Sequence, residues 1–405
     1  MAVLWHMLLP VDASCKNSPE IMPIVTTPTW VDQPETLTTL CERWRRQGAI
    51  AIDTEFMRSD TFYPIAGLIQ VGDGQGCYLI DPLAFEDLSA FTAVLTDPAV
   101  TKVLHACSED LEVFQTLLAA VPAPVFDTQI GAAFAGYGYS LGYAALVQAT
   151  LGIDIPKGET RSDWLQRPLS LAQREYAALD VAHLLVIYGK LRQQLKASQR
   201  LAWVREDCAA LVATAQLEPE PDLAYCKVGF AWKLDGVGRA VLQGLCRWRE
   251  FEARACDLPR NRLMKEAQLF EIARRQPDEL HLLQRIEGLP KRTLNDYGEI
   301  LLDIVANAQR LPPSAWPEAV PLPLHRRHGA LIKQLKAYVR EQAQQHDLPP
   351  EVLIRKKEYE QLLRSALEET QLRLPPRLKG WRYDIIGQGL LQEVVAAGPL
   401  AGEEE

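Results

Sequence analysis

Strand-forming segments stop at about residue 200 of this 405-residue chain, and that break constrains the fold more than any other feature. Before it, short β-rich runs alternate with helical stretches; after it, the pattern is helical to about residue 390. Residues 49–53 (Ala-Ile-Ala-Ile-Asp) predict a buried strand, and 67–72 and 76–80 predict two more, with Asp73-Gly74 as the hairpin turn between them. There follow a helix over 87–96, a strand at 101–105, a helix over about 109–119 with Ser108 as its cap, and a short strand near 124–126. Helices are expected at 128–135 and 140–150, and a long one from 171 to 197 capped by Ser170. An antiparallel group of strands followed by strand–helix alternation predicts an α/β domain, a mixed sheet flanked by helices.

The helical half contains a repeat. Asp257-Leu258-Pro259 with Leu263 and Lys265 recurs 90 residues later as Asp347-Leu348-Pro349 with Leu353 and Arg355. Ile286-Glu287-Gly288 recurs as Leu378-Lys379-Gly380 at an offset of 92. Proline opens one helix and glycine breaks another in each copy. Two copies are too few for a solenoid, so they predict two sibling all-α bundles, 230–311 and 322–395. The remaining divisions are an N-terminal extension over 1–27, the α/β domain over 28–200, a linker over 201–229 around Pro219-Glu220-Pro221, and an acidic tail over 396–405. Met22 offers a second start, which would leave residues 1–21 outside the mature chain.

Hydrophobic residues make up 48% and charged residues 23%, the composition of an ordinary globular protein rather than a disordered or fibrous one. No run of about 18 apolar residues predicts a membrane span, and Met1–Pro10 lacks the basic start of a signal peptide. The eight cysteines (15, 41, 77, 107, 208, 226, 246, 256) include no CxxC pair, which argues against a zinc site or disulfide framework and for a reducing cytoplasm. The net charge of −9 lies wholly in residues 1–210, with 15 basic and 24 acidic side chains, whereas 321–382 carries 13 basic and 7 acidic. That asymmetry suggests carboxylate chemistry in the first part and anion capture in the second.

The carboxylates fall in a telling pattern. Asp53 and Glu55 are two apart on a predicted strand and share one face. Asp110 opens a helix after a different strand, and Tyr176 and Asp180 share a face of the long helix. If Asp53, Glu55, Asp110 and Asp180 converge, each pair about 4 Å apart repels by about 4 kcal/mol at an effective dielectric of 20. A cation or raised pKa values must compensate. All-carboxylate donors suit hard divalent ions, magnesium or manganese, and two such ions can serve phosphoryl displacement. A tyrosine hydroxyl beside them can orient the attacking water or take its proton.

These residues resemble the DEDD exonuclease superfamily in its tyrosine variant: Asp53-x-Glu55, Asp110 within Leu104-His105-Ala106-Cys107-Ser108-Glu109-Asp110-Leu111, and Tyr176-x-x-x-Asp180. The flanks Leu68-Ile69-Gln70, Phe126-Asp127-Thr128-Gln129 and Ser162-Asp163-Trp164-x-x-Arg167-Pro168-Leu169 resemble ribonuclease D over about 28–200, and the two helical repeats resemble HRDC domains. The resemblance implies a ribonuclease H-like exonuclease domain followed by two HRDC-like bundles. It implies 3′→5′ hydrolysis of RNA from a free 3′ end, releasing nucleoside 5′-monophosphates, with tRNA precursors as a typical substrate. It assigns Asp53, Glu55 and Asp180 to a first divalent ion, Asp53 and Asp110 to a second, and Tyr176 to the attacking water.

Around that centre, Phe56, Gln70, His105, Asp163 and Trp164 are candidate substrate contacts. Phe56 follows the first motif and is a candidate either to stack on a base or to pack in the core; Asp127 is expected to cap the helix after it. Arg326, Arg327, Lys333, Lys336, Arg340, Arg355, Lys356 and Lys357 are the candidate accessory RNA-binding residues, and the first bundle offers Arg247, Arg249, Arg260, Arg262 and Lys265. Two other readings stand beside the exoribonuclease: a DNA-directed exonuclease of the same superfamily, and a non-catalytic RNA-binding protein on a decayed nuclease fold. The intact carboxylate set argues against decay, and the lack of a Walker A run argues against a fused motor.

Overall fold

The computed structural model describes residues 27–398 except 157, 159–161, 219 and 369–371; residues 1–26 of the expected extension and 399–405 of the expected tail lie outside the described residues. The first part contains β1 (Thr29–Val31), α1 (Pro34–Trp44), β2 (Ala49–Met57), β3 (Ile65–Gly72), β4 (Cys77–Ile80), α2 (Ser89–Leu95) and β5 (Thr101–Leu104). It continues with α3 (Ser108–Leu118), β6 (Val125–Asp127), α4 (Thr128–Phe134), α5 (Tyr143–Leu151), α6 (Leu171–Ala182), α7 (Leu184–Ala197) and α8 (Leu201–Ala215).

The strands form one six-stranded sheet in the order β1-β4-β3-β2-β5-β6. β2, β3 and β4 are antiparallel, as expected, while β1–β4, β2–β5 and β5–β6 pair in parallel. Alternation along β2 explains the layers. Ile50 and Ile52 face a core built with α1, α2 and α3, including Trp44, Phe91 and Phe114. Ala51 faces the other way, against Ala178 and Val181 of α6 and Leu184 of α7. The β3–β4 hairpin turns at Gly74, with φ of +81°, and Asp73 accepts the amides of Gln75 and Gly76.

Several local expectations need correction. β1 has three residues, too few for alternation to reveal it. Ser108 is the first residue of α3 rather than its cap; Cys107 takes the cap position without a side-chain bond, and Glu109 and Asp110 supply the first-turn negative charge. The long helix over 171–197 divides at His183 into α6 and α7. The expected linker over 201–229 begins with the helix α8, whose Val204, Cys208 and Val212, spaced by four, form a buried stripe.

The first bundle comprises α9 (Gly236–Ala255), α10 (Arg260–Leu263), α11 (Glu266–Arg275), α12 (Leu280–Leu283) and α13 (Lys291–Gln309). The second comprises α14 (Gly329–Gln345), α15 (Pro350–Leu353), α16 (Lys356–Glu368), a π-helical turn over 383–387 and α17 (Gln388–Ala396). The repeat is structural as well as sequential. Asp257 and Asp347 both take φ of 48°, and the next amide in each, Leu258 and Leu348, bonds the Ala253 or Ala343 carbonyl at 2.9 Å. This is a left-handed helix terminus of the kind aspartate tolerates.

Candidate active site

Asp53 and Glu55 project from β2 on the face covered by α6, and the helix is held close by missing side chains on β3. A Cβ on Gly72 would lie 2.8 Å from the Val181 carbonyl oxygen. The start of α6 is fixed by a reciprocal pair: the Ser170 hydroxyl accepts the Gln173 amide and the Gln173 side chain accepts the Ser170 amide. One turn apart on this helix, Tyr176 and Asp180 then face β2. The carboxylates of Asp53, Glu55 and Asp180 come within 4.8 Å of one another.

Asp110 stands just outside that trio. It arrives on the first turn of α3, and its carboxylate accepts the hydroxyl of Thr54, the residue between the two acids of β2. The turn that delivers it is built on Asp127. That buried carboxylate caps α4 through Gln129 and Ile130, as expected, and also accepts the amides of Ala106 (3.1 Å) and Cys107 (3.0 Å). Ala106 is thereby held at φ of 55°.

The electrostatics show what this assembly costs without a cation. Burial raises Asp53 well above the carboxylate range, with Asp110, Asp180 and Glu55 adding to it. Burial, with Asp180 and Asp110, pushes Glu55 up to about 8. Burial lifts Asp180 to about 7 against a hydrogen bond from Tyr176, and Asp110 to about 6 against the bond from Thr54. Tyr176 is raised by burial and by the same carboxylates, so it remains a neutral phenol, suited to orienting water rather than removing its proton. Only oxygen donors are present in the trio, which fits a hard divalent cation.

The ring of Tyr176 is clamped on two sides. A Cβ on Gly158 would fall 1.8 Å from its Cδ2, so the chain crosses it where only glycine fits. On another side lies Trp164, ring centroids 6.2 Å apart. Trp164 is 2% exposed among Leu68, Leu79, Leu169 and Ala177, so it supports Tyr176 as core and does not present a face to substrate. Arg167 fastens this loop to the sheet, donating twice to Asp81 and also to the Gly67 and Trp164 carbonyls. Asp163 accepts the Leu165 amide and gives its carbonyl to Gln173, an anchor for the loop before α6.

The other expected contacts divide. Phe56 follows Glu55 at a bulge between β2 and β3 and is partly exposed. Gln70, directly opposite Asp53, is fully buried with neither side-chain atom partnered, so it offers no surface to a nucleotide. His105 bonds Thr128 through Nδ1 at 2.9 Å, and Thr128 in turn donates to the Leu104 carbonyl. This ties its ring into the strand end; burial lowers its pKa.

All eight accessory basic residues of the second bundle, 326, 327, 333, 336, 340 and 355–357, are exposed. In the first bundle Arg262 pairs with Asp60, Arg260 pairs with Glu250, and Arg249 is buried. Thr54 and Gly158 were missed from the sequence. The signals were there: a hydroxyl inside the Asp-x-Glu motif, and a glycine shortly before the helix that carries Tyr176 and Asp180.

Comparison with known proteins agrees with this geometry. The 3′-5′ exonuclease family model matches residues 28–196, the HRDC domain 238–305, and the C-terminal HRDC domain of ribonuclease D 328–390. Ribonuclease D of Pseudomonas paraeruginosa is 46% identical over 91% of this chain and 98% of its own length. That of Escherichia coli strain K12 is 38% identical over 88% of this chain and 95% of its own. The crystal structure of Escherichia coli RNase D, an exoribonuclease involved in structured RNA processing, matches with a TM-score of 0.85 and 37% identity, covering 92% of this chain and 99% of that one. With its exonuclease fold, its two helical modules and its carboxylate cluster, the chain belongs to the ribonuclease D family of 3′→5′ exoribonucleases.

Proposed function

We propose that this exoribonuclease trims RNA from a free 3′ end, releasing nucleoside 5′-monophosphates, with tRNA precursors among its substrates. The observation that carries the chemistry is the convergence of Asp53, Glu55 and Asp180 within 4.8 Å, where burial alone disfavours their charge. Asp53, Glu55 and Asp180 would hold one magnesium or manganese ion, and Asp53 with Asp110 a second. Bound divalent ions activate water and neutralise charge on the phosphoryl oxygens. Thr54 fixes the Asp110 carboxylate, and the clamped phenol of Tyr176 orients the attacking water. Phe56, next to Glu55 in the chain and partly exposed, stacks on a terminal base.

The exposed basic residues Arg326, Arg327, Lys333, Lys336, Arg340, Arg355, Lys356 and Lys357 support an RNA-binding surface on the second bundle. The cysteines among the described residues are all unpaired, which supports a reducing, cytoplasmic setting. No helix among the described residues is long and apolar enough to cross a membrane. The test is a linear RNA beside the same sequence closed into a circle, with a matched DNA strand as a third substrate. Degradation of the linear RNA alone is expected. A circle cleaved at a comparable rate contradicts the need for a free end, and DNA degraded equally well moves the reading to a sugar-indifferent exonuclease.

A further inference from the structure

Arg249 occupies a position that the bundle fold gives to an apolar residue. On α9 the stripe Val241, Leu245, Arg249, Ala253 is buried; on α14 the corresponding stripe, 90 residues later, is Leu331, Leu335, Val339, Ala343, also buried. The matching left-handed corners at Asp257 and Asp347 fix that register. The sibling bundle therefore folds with a valine where the first bundle buries a guanidinium.

That guanidinium is poorly satisfied. Arg249 is 8% exposed; Nη1 donates to the Met264 carbonyl at 3.0 Å, and Nε has no partner. Its neighbour Glu250 is already held by Arg254 and Arg260. Burial lowers its pKa even though Glu266 and Glu250 lie near enough to favour its charge. Arg249 lines a cavity of about 370 Å³ between the first bundle and the loop that leaves β2, together with Arg58, Arg260, Ser59, Thr61 and Asn261. Glu266 is the carboxylate among the described lining residues. The lining thus sets three guanidiniums against one carboxylate, with Arg58 and Arg260 already paired to Glu112 and Glu250 outside it and Arg249 bonded to a carbonyl alone.

We propose that this cavity is an anion site, in which Arg249, Arg58 and Arg260 hold a phosphodiester of the RNA strand upstream of the end being cleaved. The placement fits: Arg58 lies three residues beyond Glu55 along the direction of β2, about 10 Å at 3.3 Å per residue. The inference rests on the reading of the chain as an RNA exonuclease. It gives the first bundle a defined task, to close one wall of the path leading to the carboxylates.

The experiment uses the full chain with Arg249→Val, the residue its sibling bundle carries. Binding of a 5′-fluorescein-labelled unstructured 20-nucleotide RNA is followed by anisotropy in EDTA across a salt series. The variant should bind about tenfold more weakly, and the log–log salt slope should fall by about 0.7, the value for one phosphate on a single strand. Arg58→Gln, on a partly exposed side chain, should shift affinity and slope the same way and serves if the valine variant does not fold. A folded variant with unchanged affinity and slope overturns the anion site while leaving the nuclease reading intact. A wild-type chain that degrades no RNA with magnesium overturns both.

Discussion

The two helical bundles are siblings by sequence and by their Asp-Leu-Pro corners, yet they meet the nuclease in different ways. The core of the second runs without a break into that of the nuclease. Leu335, Val339, Leu363 and Trp381 lie in one continuous cluster with Phe134, Ile187, Leu191 and Val204 of α4, α7 and α8. Trp381 stacks on Trp203 at 4.4 Å and 10°, and the buried Arg382 grips Asp207 of α8 with two bonds. The first bundle closes a separate core around Leu245, Ile272, Leu301 and Val305. Its seam with the nuclease is small: Phe62 beside Ala253 and Leu263, the amides of Phe62 and Tyr63 on Asp257, and the Arg262–Asp60 pair. One duplication has thus yielded a part fused into the nuclease and a part resting against it. The fused part shares its core with the nuclease, whereas the resting part touches it through a small seam.

Trp381→Ala should break that distinction if anything does. Removing a stacked core indole costs about 3–5 kcal/mol. The loss should appear in the nuclease itself, as a fall in its unfolding midpoint in urea by circular dichroism. Phe62→Ala should cost less, about 1–2 kcal/mol, because undocking of the first bundle relieves the cavity without unfolding either part. Calorimetry should then show the first bundle's transition separating from the rest; a single transition shifted as far as in Trp381→Ala contradicts the comparison. Arg262→Ala, which deletes an exposed ion pair, should change stability by less than about 1 kcal/mol.

Much of the molecule was legible in the sequence, and the exceptions share a cause. The antiparallel strands, the hairpin at Asp73-Gly74 and the Ser170 cap follow from local signals, and so does the repeat that marks the two bundles. The convergence of Asp53, Glu55 and Asp180 was legible because their spacing puts each on one face of β2 or α6. What escaped depends on contacts distant in sequence. β1 exists because β4 offers an edge. Residues 201–215 are helix rather than linker because both the sheet and the second bundle cover their apolar stripe. Trp164 looked available and is core, since Leu68, Leu79 and Leu169 surround it. Gln70 looked like a contact because it neighbours Asp53, but α6 covers that face of the sheet.

The carboxylate cluster sets a pH dependence of opposite sign to that of a salt-bridged protein. Glu55, Asp180 and Asp110 hold protons more tightly folded than unfolded, with values of about 8, 7 and 6 in place of the ordinary range near 4. The metal-free chain should therefore lose stability as pH rises from about 4 to about 8. Magnesium should restore it most at the upper end, where the carboxylates have lost their protons. Asp53→Asn should raise the melting temperature of the metal-free chain at pH 8 and change it little at pH 4. A wild-type chain whose metal-free stability rises across that window contradicts the buried cluster.

The most direct measurement is a time course on 5′-labelled RNA with an unstructured 3′ tail, run with magnesium, with EDTA, and with folded Asp53→Ala protein. The account predicts a ladder shortening from the 3′ end in magnesium alone and absent from the variant, since losing several kcal/mol of charge stabilisation at about 1.36 kcal/mol per tenfold removes most of the rate. Shortening that persists in EDTA or in Asp53→Ala, or none under any divalent ion while RNA still binds, would place the chemistry outside Asp53, Glu55, Asp110, Tyr176 and Asp180.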